Sequence, residues 1–90
     1  MYATLVRAKH SNGMTDADVR ILREQAAPLL RAQPGFVAGY WTETLENESL
    51  AFFVFEDQSA AEAAAPPPGT DAGEGVTISH VEVREILASA

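Results

Sequence analysis

From Tyr2 to Lys9 the side chains alternate, with Tyr2, Thr4, Val6 and Ala8 on one side and Ala3, Leu5, Arg7 and Lys9 on the other. A period of two over this length predicts a strand. The cluster His10-Ser11-Asn12-Gly13 reads as the turn that ends it. The period then changes. Val19, Leu22, Ala26, Leu29 and Leu30 recur at three- and four-residue steps and give one apolar helical face. Thr15 is the expected N-cap, and Asp18 completes a capping-box pair with Asp in place of the usual Glu. Asp16 and Asp18 suit the positive end of the helix dipole, and Arg31 the negative end. One helix is expected over residues 16–32. Pro28 removes a backbone bond inside it and should kink it near Glu24 and Gln25. Pro34-Gly35 stops it.

The second strand is expected from Phe36 to about Leu45. It is rich in aromatic residues and threonine, and Gly39 inside it marks a bulge or a close approach by another group. Tyr40 and Trp41 face opposite ways on a regular strand. Glu46-Asn47-Glu48 is a polar break. Leu50-Ala51-Phe52-Phe53-Val54-Phe55 then forms a continuous apolar run that suits a buried strand, paired with the second as an antiparallel hairpin. Asp57 and Ser59 both offer N-caps for a second helix over residues 60–65, and Ser59 with Glu62 has the capping-box spacing. That helix is almost all alanine, so it has high propensity and little apolar area and must lie close against the sheet. Residues 66–75, rich in proline and glycine, read as a mobile surface loop. Val76 to about Leu87 alternates again. Strict alternation puts Ile78, His80 and Glu82 on one face and Ser79, Val81 and Val83 on the other.

The order β-α-β-β-α-β is the split βαβ of ferredoxin-like folds. It predicts a four-stranded antiparallel sheet with both helices on one face. Both faces of the third strand carry large apolar groups, Phe52 and Val54 on one side and Phe53 and Phe55 on the other. Two helices cover only one face, so the other is expected to stack on a second copy as a homodimer. The long last strand would reach across to the partner's edge.

Ninety residues make a single domain over 1–90 with a marginal core. There is no cysteine, which excludes disulfides and thiolate metal sites and fits a cytoplasmic setting. The net charge of −7, with a single lysine at Lys9, disfavours nucleic acid and anionic membrane surfaces. No signal peptide and no membrane span are expected.

The stretch Ala27-Pro28-Leu29-Leu30-Arg31-Ala32-Gln33, followed by Pro34-Gly35-Phe36-Val37-Ala38-Gly39-Tyr40, resembles the antibiotic-biosynthesis-monooxygenase-like domains of the dimeric α+β barrel superfamily. Phe55-Glu56-Asp57 with Ala60-Ala61-Glu62-Ala63 is similar to that family's third strand and second helix, and residues 83–88 to its closing strand. The resemblance spans nearly the whole chain. It implies a homodimer with a pocket between sheet and helices in each subunit. It also implies a function as a cofactor-independent monooxygenase of aromatic, quinol-type small molecules, with a non-catalytic ligand-binding or structural dimerisation module as the alternative. Heme-degrading relatives use an asparagine on the first strand and an iron-ligating histidine on the second helix. Here the first strand carries Thr4 and Val6, and residues 60–65 contain no histidine, so no heme and no other cofactor is implied.

The candidate site residues follow from residue type. Trp41 is either core or interface packing or a pocket wall that stacks on a flat substrate. His80, in the middle of the last strand, is either hydrogen-bonded at an interface or a general base toward a phenol. His80 and Trp41 are thus the catalytic candidates, with Tyr40, Tyr2, Arg7 and Phe53 around the substrate. His10 falls in the turn and is read as solvated. Two isolated histidines make no metal site.

Overall fold

A computed structural model describes residues 1–73 and 75–90. It is an α+β fold whose antiparallel sheet has five strands in the order β2-β3-β1-β5-β4. The strands are β1 (Tyr2–His10), β2 (Phe36–Trp41), β3 (Glu48–Phe55), β4 (Asp71–Gly73) and β5 (Val76–Glu85). The order is compatible with a ferredoxin-like arrangement, with one correction. The stretch expected to be only a loop contributes a fifth strand, β4, which pairs Asp71 with Thr77 and Gly73 with Val76. Three residues at a sheet edge, with no apolar alternation of their own, carry no periodic signal that a sequence reading detects.

The first helical stretch runs without interruption as α1 (Asp16–Ile21), a π-helical segment (Leu22–Ala26) and α2 (Ala27–Arg31). Thr15 caps it as expected: its hydroxyl accepts from Asp18 N–H, and Thr15 N–H donates to the Asp18 carboxylate. Where a kink is expected, the helix passes through the π segment. Pro28 has no N–H to offer Glu24, and Ala27 N–H bonds to the carbonyl of Leu22, five residues back. At the far end Gly35 adopts φ 77°. A side chain there would be strained and would crowd Ala60 Cβ at 3.1 Å, so glycine is required twice over.

The short helix α3 (Gln58–Ala63) is capped by Asp57, whose carboxylate accepts from Ala60 N–H. Of the two offered caps, Ser59 therefore lies inside the helix. Ala61 is fully buried, and its carbonyl accepts from the Thr4 hydroxyl at 2.7 Å. The small alanine side chains let the helix come this near the sheet. Phe36 meets the fully buried Phe55 edge-on at 6.0 Å beside it.

Register assigns every strand residue to a face. The inner face, under the helices, carries Thr4, Val6, Ala8 and His10 of β1, with Ser49, Ala51, Phe53 and Phe55 of β3 opposite or in phase with them. Trp41 pairs with Ala51 and Gly39 with Phe53, so both are inner, while Tyr40 pairs with Phe52 on the outer face. The β2 irregularity falls between Phe36 and Ala38, upstream of Gly39, so Tyr40 and Trp41 keep their alternation. Gly39 instead marks a close approach. A Cβ there would lie 2.8 Å from Leu30 Cδ2 and 3.3 Å from both the Phe36 and Phe53 rings. The β2–β3 hairpin closes through Glu46 and Asn47, both left-handed at φ 53° and 63°, between the mutually bonded Leu45 and Glu48.

The last strand departs from strict alternation. Arg7 pairs with His80, but Ala8 pairs with Ile78. Ser79 is the extra residue of a β-bulge, and its hydroxyl donates to the Arg7 carbonyl at 3.2 Å. Beyond the bulge the faces exchange. Ile78 is inner with Val76, then Val81 and Val83 are inner, while His80, Glu82 and Arg84 are outer. The expectation that His80 shares a face with Ile78 is therefore corrected.

Candidate functional site

A cavity of about 790 Å³ lies between the inner sheet face and the helices. This is within the size range of small-molecule pockets, roughly 300–1,000 Å³. Its floor comes from the inner face of the sheet, including Val6, Ala8, Ala51, Phe53 and Ile78. No residue of α1 is buried. Ile21 and Leu29 line the cavity yet stay 50% and 68% exposed, so the cavity is open to solvent along this helical stretch. The alanines and proline at the end of α3 (Ala63, Ala64, Ala65, Pro66) form the opposite wall and take up little space.

The lining is mainly apolar with a few polar groups. Trp41 is half-buried on the floor, held edge-to-face by Phe53 at 5.2 Å with the ring planes at 62°. A ring pinned this way presents a fixed aromatic surface. A buried polar pair is made by His10 and Ser49, 6% and 9% exposed, with His10 Nε2 at 2.7 Å from Ser49 Oγ. The other ring nitrogen of His10, Nδ1, is buried and has no hydrogen-bond partner among the described residues. At the rim, Asp18 has a carboxyl held below the ordinary aspartate range. The hydrogen bonds from Thr15 are the main cause, and the charge of His10 contributes least.

The candidate residues divide between three places. Trp41 and Phe53 line the cavity. Tyr2 is half-buried on the inner face and packs against the core rather than the cavity. Tyr40, Arg7 and His80 lie on the outer face. Tyr40 is 64% exposed, and Arg7 pairs loosely with Glu48 at 3.4 Å. His80 is 3.4 Å from Glu82, which also binds Arg84, and the Arg84 hydrogen bond is the main reason the Glu82 carboxyl titrates low. His80 and Trp41 are thus on opposite sides of the sheet, and the fold does not bring them together.

The histidine that does line the cavity is His10. The reading of it as a solvated turn residue is corrected: it is the last residue of β1, on the inner face. One signal pointed there. His10 continues the even-numbered phase of Tyr2, Thr4, Val6 and Ala8, although the adjoining Ser11-Asn12-Gly13 suggested a turn. Ser49 stands at the start of an apolar run and carried no signal of its own.

Among the described residues no group of three metal-ligating side chains is close enough to hold an ion, and no helix is long and apolar enough to cross a membrane. No protein-family model matches the chain, and no curated protein or solved structure matches it.

Proposed function

We propose that this protein binds a flat aromatic small molecule in the cavity between sheet and helices, and that it acts on such molecules as a cofactor-independent monooxygenase. The observation that carries the binding reading is the floor itself. A mainly apolar surface presents one oriented indole, Trp41, with a buried hydrogen-bonded polar pair, His10 and Ser49, among its lining residues. Stacking on the indole supplies affinity, and the polar pair fixes orientation. The oxygenase reading comes from the resemblance of residues 27–40 to antibiotic-biosynthesis-monooxygenase-like domains.

The chemistry suits an anthrone- or quinol-type substrate with an acidic C–H. Loss of that proton gives a delocalised carbanion, which transfers electrons to dioxygen and forms a C–O bond. The hydroperoxide so formed loses water, leaving a carbonyl. One oxygen atom stays in the product and the other leaves as water with both substrate hydrogens. The cavity contributes orientation and a low-polarity surface along which charge spreads.

Oxygen uptake with a panel of anthrones and quinols tests this. Wild-type protein is expected to consume oxygen and Trp41→Phe to do so more slowly. Equal rates in the two proteins would remove Trp41 from the site. Binding without oxygen uptake would favour the non-catalytic ligand-binding module.

A homodimer through the outer sheet face is part of the same proposal. Tyr40, Phe52 and Leu5 form one row across β2, β3 and β1, with Leu50 beside it. Tyr40, Leu50 and Phe52 are 64%, 46% and 39% exposed. A contiguous apolar strip bordered by the charged β5 residues Glu82 and Arg84 has the composition of an interface core and rim.

A further inference from the structure

We infer that Ser49, oriented by His10, is the hydrogen-bond donor that anchors a carbonyl oxygen of the ligand. The inference rests on the reading of the cavity as an aromatic-binding site and names the polar feature its ligand must carry.

It follows from where the protons in the His10–Ser49 pair sit. Only one proton lies between Nε2 and Oγ, which are 2.7 Å apart. If Ser49 donates to Nε2, a neutral ring carries its proton on Nδ1, which is buried with no partner among the described residues. That would be a buried N–H with nothing to bond. If Nε2–H donates to Ser49, Nδ1 holds an unused lone pair. Orphaned buried donors are rarer than under-used acceptors, and an unmade hydrogen bond costs the group its full desolvation. The second arrangement is therefore the resting one. It leaves the Ser49 proton uncommitted, and among the described residues His10 is the sole side-chain partner of Ser49.

Ser49 lines the cavity, so that proton has the cavity as its outlet. Ser49 and Ala51 are neighbours on the inner face of β3, and Ala51 is the register partner of Trp41. Ser49 is therefore the diagonal neighbour of Trp41 across the β2–β3 pair, and such positions lie about 7–8 Å apart. A bicyclic ketone spans that distance, with its ring on the indole and its oxygen at Ser49. A hydrocarbon of the same shape fills the same space and leaves the hydroxyl unpaired.

The probes are 1-indanone and indane, which differ by the carbonyl. Titration is followed by the fluorescence of Trp41, the single tryptophan, and by calorimetry. Wild-type protein is expected to bind 1-indanone roughly three- to tenfold more tightly, the factor a net hydrogen bond supplies. In Ser49→Ala the ratio should fall toward one, and in Ser49→Thr, which keeps the hydroxyl, it should be retained. Equal affinities in wild type, or a preference that survives in Ser49→Ala, would overturn the anchor and leave the aromatic cavity standing. Failure of both probes to bind would overturn the two together. Ring-nitrogen NMR of the native protein needs no variant. His10 is expected to carry its proton on Nε2, and a proton on Nδ1 would overturn the inference.

Discussion

At the scale of residues, the two histidines exchange the places their neighbours suggested. His10, followed by three turn-forming residues, is buried at the cavity. His80, set in a regular-looking strand, is exposed on the far face. The cause at His80 is one inserted residue. Ser79 bulges from the ladder, and every side chain after it changes face. The inner apolar positions Val76, Ile78, Val81 and Val83 record this as a step of three in a run of twos. The slip was therefore written in the chain, although strict alternation passed over it. The cap of α1 is a residue-scale feature that local sequence does specify. Its ionisation has a defined sign. Asp18 titrates low in the folded protein because Thr15 donates to its charged form. A carboxyl with a depressed folded pKa stabilises above its unfolded pKa and loses that contribution as pH falls through the folded value. Asp18→Asn is therefore expected to be less stable than wild type at neutral pH. The gap should close as pH drops through the carboxylate range, as thermal melts at a series of pH values would show.

At the scale of elements, helix and strand identities follow from period and caps, while their fit follows from particular contacts. The π segment is the accommodation of Pro28 within a stretch whose apolar face continues past it. The contact between α2 and β2 depends on Gly39, whose missing Cβ makes room for Leu30. Gly39→Ala would push into Leu30, Phe36 and Phe53 at once and is expected to cost about 1–3 kcal/mol by overpacking. Denaturant unfolding measures this. Adding Leu30→Ala should cost less in that background than in wild type, because the two sites share one space. The glycine was legible as a sign of close approach; the leucine that approaches was not, since nothing local links residues 30 and 39. The α3 helix shows the same limit. Its alanines forecast a close seat on the sheet, but Thr4 as the group that receives it comes from the other end of the chain.

At the scale of the molecule, one sheet face is roofed by helices over a cavity and the other carries an uncovered apolar strip. The proposed dimer predicts that sedimentation at micromolar concentration gives twice the chain mass. Phe52→Glu, placing a charge amid Tyr40, Leu5 and Leu50, is expected to give the monomer. A wild-type monomer would leave the outer face without this role.

The sequence by itself determined the element types, nearly all of their order and the Thr15–Asp18 cap of α1. Each depends on residues within a few positions of one another, through side-chain period, turn chemistry and capping. The tertiary structure alone decided the fifth strand, the facing of His80 and the meeting of His10 with Ser49. Those depend on register between distant segments, where a shift of one residue moves a side chain from one face of the sheet to the other.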